Sequence, residues 1–132
     1  MSSAASLAHT SPIQRGRAAL IALWVVQIAL AGMFLLAGGS KLLGTSAMVA
    51  LFDAIGIGQW FRYLTGLIEV GSALALLMPA FAVFGALTLV PTMIGAIATQ
   101  LFIVGGSPAP PAVLLLGAGI VVMARRHELF EA

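Results

Sequence analysis

Apolar side chains run along this chain in four long blocks, at about residues 18–38, 61–78, 80–104 and 110–124, separated by short polar or glycine- and proline-rich breaks. About 20 apolar residues in helical conformation are needed to cross the hydrocarbon of a bilayer. The first block follows Arg15 and Arg17, as the core of a signal peptide would. It is longer than the 7–15 residues or so of such a core, so it is read as a retained span. The second and third blocks are parted by little more than Pro79, and "GGSPAPP" (Gly105 to Pro111) is a tight connection before the fourth. The fourth is short, and Arg125 and Arg126 at its end can extend it by snorkelling.

A different periodicity fills the gap between the first two blocks. In "TSAMVALFDAIGIGQW", Met48, Leu51, Phe52 and Ile55 fall at i, i+3, i+4 and i+7 and make one apolar face. This predicts a short amphipathic helix lying in the interface and ended by Gly56 and Gly58. Trp60 and Tyr63 then mark the water–lipid boundary. The pattern as a whole predicts an all-α fold, a four-helix transmembrane bundle with a short amphipathic interfacial helix between helices 1 and 2. The membrane domain covers residues 18–126, with a disordered tail at 1–17 and a short tail at 127–132.

Composition agrees. The chain is 61% hydrophobic and 8% charged, against about 25% charged in ordinary soluble domains. Too few charges are present to cover a water-facing surface, so the chain is read as an integral membrane protein. The net charge of +2 gathers in no basic cluster, and nucleic acid is excluded as a partner. There is no cysteine, and His9 and His127 sit in the polar ends. No metal site and no intrinsic cofactor are therefore expected. Four spans place both termini on one side, with Arg15, Arg17, Arg125 and Arg126, against Lys41 and Arg62 on the other. The positive-inside rule then puts both termini in the cytoplasm.

An acidic residue inside a membrane span is expensive and by default a candidate site. Glu69 lies in the second block, and helical spacing places Arg62, Thr65, Gly66, Ser72 and Ala73 on its face, all small or polar. The first span has a comparable stripe of Gln27, Ala31, Phe34, Gly38 and Lys41, and the third one of Gly85, Thr88, Thr92, Gly95 and Thr99 with Gln100 beside it. These three spans are expected to enclose a polar seam. At about 1.5 Å per residue, Glu69 lies about 12 Å inside the non-cytoplasmic end of its helix, near the depth of Thr92. Lys41, Arg62, Glu69, Thr92 and Gln100 are thus the candidates to line one recess, roofed by the amphipathic segment. Arg62 is about 10 Å along the axis from Glu69, so the expected partner of Glu69 is Lys41 across helices. Pro91 frees the carbonyl of Leu87 as a further acceptor. No residue is assigned a catalytic role, because no Ser/His/Asp set or paired carboxylates occur. "GGSKLLG" lacks the spacing of a phosphate-binding loop.

"GGSKLLG", "MVALFDAIGIGQWFRYLTGLIEVGSALALL" and "PTMIGAIATQL" with the glycine–proline turn after it together resemble the DoxX-like family of small four-helix membrane proteins. The likeness covers about residues 18–126. Its most specific features are the lysine after the first helix and the glutamate in the second, here Lys41 and Glu69. The resemblance implies a protein of the bacterial inner membrane. Some relatives are associated with quinone-linked oxidation of sulfur compounds or with membrane assemblies that handle oxidative stress. Where relatives often have a histidine, this chain has Gln100. The leading expectation is a subunit, at most part of a quinone-linked oxidoreductase, that binds a small polar-headed lipophile such as a quinone. Lys41 would hold an oxygen or pair with Glu69, Glu69 would accept or relay a proton, and Thr92 and Gln100 would donate hydrogen bonds. A partner redox subunit or a homo-oligomer is implied. Two alternatives stand beside it: a non-catalytic scaffold or accessory subunit whose polar seam only fixes helix register, and an oligomeric small-solute carrier.

Overall fold

The computed structural model describes residues 12–129, with side chains from residue 16 onward. Within that range there are five α-helices and no strand. They are α1 (Pro12–Leu43), α2 (Ser46–Ile55), α3 (Gln59–Leu76), α4 (Ala82–Thr99) and α5 (Ala109–Arg125). A π-helical turn, Gln100–Val104, extends α4, and a 3₁₀ turn, Arg126–Leu129, extends α5. Three segments are long and apolar enough to cross a membrane: Gly16–Leu43, Ala82–Val104 and Ala109–Leu129, of 28, 23 and 21 residues. At about 1.5 Å per residue each reaches or exceeds a hydrocarbon thickness of about 30 Å. Helix α3 is 18 residues long, but its Gln59, Arg62 and Glu69 make it more polar than those three.

One boundary differs from the sequence reading. Helix α1 runs from Pro12, the first described residue, so residues 12–17, expected as tail, are helical. Proline suits a first helical turn because its missing N–H has no partner to lose there. The rest of the expected tails, residues 1–11 and 130–132, lies outside the described residues. The amphipathic segment forms α2, with Phe52 buried, Met48, Leu51 and Ile55 half-buried, and Phe52 edge-on to Phe61 at 5.8 Å. Gly56 ends it at φ 83°, its N–H donating to the Phe52 carbonyl at 3.1 Å. A left-handed residue at this position is what glycine supplies without a Cβ penalty.

Helix α1 packs along α3, α3 on α4, α4 on α5, and α5 returns to α1. The core between them is Leu30, Ala31, Phe34, Ala73, Leu76, Ala86, Leu89, Met93, Ala118 and Val121. Lipid is as apolar as these side chains, so close packing rather than removal from water has to hold the helices together. Glycines make the approach possible. A Cβ on Gly66 would sit 3.0 Å from the Gly38 carbonyl oxygen, and one on Gly85 would sit 2.8 Å from the Ser72 carbonyl oxygen. The outward faces carry large apolar side chains such as Leu36, Leu67, Phe102 and Leu116, which suit contact with lipid.

The stripe expected to face inward on α4 is buried only at Gly85. The buried residues of the helix are Ala82, Val83, Gly85, Ala86, Leu89 and Met93. Thr88 and Gly95 are exposed and Thr92 is half-buried. The physical reason is that each threonine satisfies itself. Thr88, Thr92 and Thr99 donate to the carbonyls of Phe84, Thr88 and Gly95, at 2.9, 2.8 and 2.9 Å. A hydroxyl bonded one turn back places no demand on a neighbouring helix. The seam is therefore made by α1 and α3, and α4 offers them an apolar face.

Candidate functional site

The last turn of α1 and the first half of α3 meet where both backbones are bare. A Cβ on Gly38 would lie 2.9 Å from the Gly66 carbonyl oxygen and 3.0 Å from Cβ of Glu69. That close approach brings Lys41, one turn further along α1, opposite Glu69. Nζ of Lys41 lies 3.0 Å from one carboxylate oxygen of Glu69 and 3.3 Å from the other. The side chains are 13% and 3% exposed, so the ammonium sits at the rim and the carboxylate is enclosed. Burying two charges is costly, and what offsets that cost here is the approach of Lys41 to both carboxylate oxygens.

Arg62 completes the arrangement from below. It is buried, and its guanidinium donates through Nη1 to the backbone carbonyl of Lys41 and through Nε to Oε1 of Gln59 at 2.7 Å. The last carbonyls of a helix have no partner within it, and a cation there also complements the helix dipole. Gln59 carries the connection on, donating to the Val49 carbonyl at 3.0 Å and to Oδ1 of Asp53 at 2.8 Å. The guanidinium carbon lies 4.2 Å from the ring centre of Tyr63. Helices α1, α2 and α3 are thereby tied through one continuous set of polar contacts.

Of the five candidates, the structure brings Lys41, Glu69 and Arg62 together, with Lys41 on Glu69 and Arg62 on the Lys41 backbone. Thr92 and Gln100 share no hydrogen bond with them. Gln100 opens the π-helical turn, whose Gly105 N–H donates to the Gln100 carbonyl at 2.9 Å. Its Oε1 is buried over Gly106, where a Cβ would stand 2.7 Å away, and has no hydrogen-bond partner among the described residues.

A second polar cluster lies at the other end of the helices. Gln27, 0% exposed, donates to the Leu76 carbonyl at 2.8 Å and accepts from Nε of Arg125 at 2.6 Å. Arg125 continues to Glu128 at 2.8 Å and lies 5.2 Å from the Trp24 ring centre. Arg125 thus turns inward and does not snorkel. The signals were the place of Gln27 on the buried stripe of α1 and the three-residue spacing of Arg125 and Glu128. Among the described residues, no three His, Asp or Glu side chains come together as a metal would require.

The sequence profile of the DoxX-like family matches residues 25–125, from the middle of α1 to the last residue of α5. The chain belongs to the DoxX-like family. With its apolar helices, this DoxX-like chain is a membrane protein in contact with the lipid bilayer. No curated protein and no solved structure matches it. The match spans both polar clusters of the DoxX-like chain, Lys41–Glu69 and Gln27–Arg125.

Proposed function

We propose that this DoxX-like protein is a non-catalytic accessory subunit of a membrane assembly, in which the Lys41–Glu69 pair latches α1 to α3. In this reading α3 is a fourth span. Its Arg62 and Glu69 are tolerated because both face protein, and all four long helices form the membrane bundle. The excess of arginine near the chain ends favours cytoplasmic termini, and the family favours a bacterial inner membrane. The observation that carries the reading is the closure of the pair: Lys41 engages both oxygens of Glu69, and the carboxylate side chain is 3% exposed.

Quinone binding has no such support. Of the groups that would hold a quinone head, the Thr92 hydroxyl is bonded to its own helix and Gln100 folds over Gly106. Neither shares a hydrogen bond with Lys41.

Three proteins purified gently with their own lipids test the proposal: the parent, Glu69→Gln, and the double variant Lys41→Met/Glu69→Leu. A latch predicts that Glu69→Gln, which strands the Lys41 ammonium, loses about 2–4 kcal/mol of stability. The apolar double variant should regain most of that loss and keep the parent's oligomeric state and co-purifying proteins. A quinone-sized adduct in native mass spectra of the parent, lost from the double variant, would overturn the latch in favour of a ligand site.

A further inference from the structure

The Arg125 cluster has hydrogen-bonding capacity that the described residues do not use. Its guanidinium spends Nε on Gln27 and Nη1 on Oε1 of Glu128, and the side chain is 8% exposed. Nη2 of Arg125 and Oε2 of Glu128 are both buried, and neither has a hydrogen-bond partner among the described residues. An unpaired buried donor or acceptor costs the full desolvation of that group, so each is a strong demand for a partner. Both residues line a cleft of about 290 Å³ between the start of α1 and the end of α5, together with Ala19, Leu20, Leu23 and His127.

The two open groups specify their occupant. Nη2 donates, so it asks for an acceptor, best an anionic oxygen. Oε2 is a carboxylate oxygen and asks for an N–H or O–H donor, best a cationic one. They belong to two residues already joined by an ion pair, so acceptor and donor must sit a short distance apart on one molecule. A phosphate ester carrying a primary ammonium has that form. A purely anionic headgroup would meet the Glu128 carboxylate unfavourably, and a quaternary ammonium has no N–H to give. The apolar wall of Ala19, Leu20 and Leu23 suits an attached glycerol and acyl chain. Trp24 beside Arg125 and the charge of Arg126 are of the kind found at headgroup depth. Glu128, on the 3₁₀ turn and 26% exposed, is the side chain free enough to swing and admit the headgroup.

We propose that this cleft binds an aminophospholipid, its phosphate on Nη2 of Arg125 and its ammonium on Oε2 of Glu128. The site is separate from Lys41 and Glu69 and does not depend on their role.

The test is native mass spectrometry of the full chain in mild detergent, with phosphatidylethanolamine, phosphatidylglycerol and phosphatidylcholine supplied in equal amounts. Phosphatidylethanolamine should be retained about tenfold over each of the others, the discrimination of one charge-assisted hydrogen bond. Glu128→Gln should bring phosphatidylglycerol to parity with it. Ala19→Phe, at an exposed position on the cleft wall, should remove the adduct while thermal stability stays at the parent's level. Excess water-soluble phosphoethanolamine should not displace the lipid. Equal retention of the three lipids, a preference that survives both substitutions, or displacement by phosphoethanolamine would each overturn the proposal.

Discussion

Replacing Gly38 by alanine adds one methyl group at the tightest point between α1 and α3. That Cβ would stand 2.8 Å from Cγ2 of Val70, 2.9 Å from the Gly66 carbonyl oxygen and 3.0 Å from Cβ of Glu69. Carbon atoms are most favourable at about 3.5–4.0 Å, so all three contacts are too close. Val70 is β-branched and stiff at χ1, and a helix carbonyl cannot swing aside. The helices must therefore part by about 0.5 Å, which loosens the Lys41–Glu69 pair as well. Overpacking of this kind costs about 1–3 kcal/mol, from which about 1 kcal/mol of helix propensity is regained. Gly32, two turns earlier on the same helix, is the control: a Cβ there meets nothing within 4 Å. Gly32→Ala should be neutral or stabilising by up to about 1 kcal/mol. The two variants should thus differ by about 2 kcal/mol in equilibrium unfolding by SDS titration from mild detergent micelles. If they fall within about 0.5 kcal/mol of each other, the close approach at Gly38 is not what holds α1 against α3.

Arg62→Ala should cost about 2 kcal/mol in the same titration, because Oε1 of Gln59 loses its donor and the Lys41 carbonyl keeps only the Gly44 N–H at 3.3 Å. It should also speed amide hydrogen exchange at residues 41–45, and Arg62→Lys should restore little, since one ammonium cannot reach both acceptors in the guanidinium geometry. Thr92→Val should stay within about 0.5 kcal/mol of the parent, as its hydroxyl serves only its own helix. Gln27→Leu keeps the volume but strands the Leu76 carbonyl and Nε of Arg125, and should cost about 3 kcal/mol, read as a shift in the SDS midpoint.

How far the sequence reveals this arrangement depends on what each residue can do for itself. Helix α2 and its end at Gly56 are legible because periodicity and a left-handed glycine are local properties. The stripe through Arg62, Thr65, Gly66, Glu69, Ser72 and Ala73 is legible too: a carboxylate cannot face lipid cheaply, and all but the half-buried Thr65 are buried. The threonine stripe on α4 misleads because a hydroxyl bonded to its own helix is at home on either face. The inward turn of Arg125 depends on Gln27, 98 positions away. An arginine at the end of a span is as consistent with snorkelling as with burial, and only the meeting of α1 and α5 decides between them.

The crossed caps between α1 and α3 bear on how the protein enters the membrane. Arg62 of α3 serves one carbonyl in the last turn of α1, and Gln27 of α1 serves the last carbonyl of α3. Each helix carries what the other needs, and α3, with Arg62 and Glu69, is a poor candidate to partition into lipid alone. Helix α1 is apolar enough to enter first and wait. When α3 emerges from the ribosome, Lys41 and the bare backbone at Gly38 are ready to receive it. The short α2 is then the tether that keeps the two within reach, so that α1 and α3 come together as a hairpin.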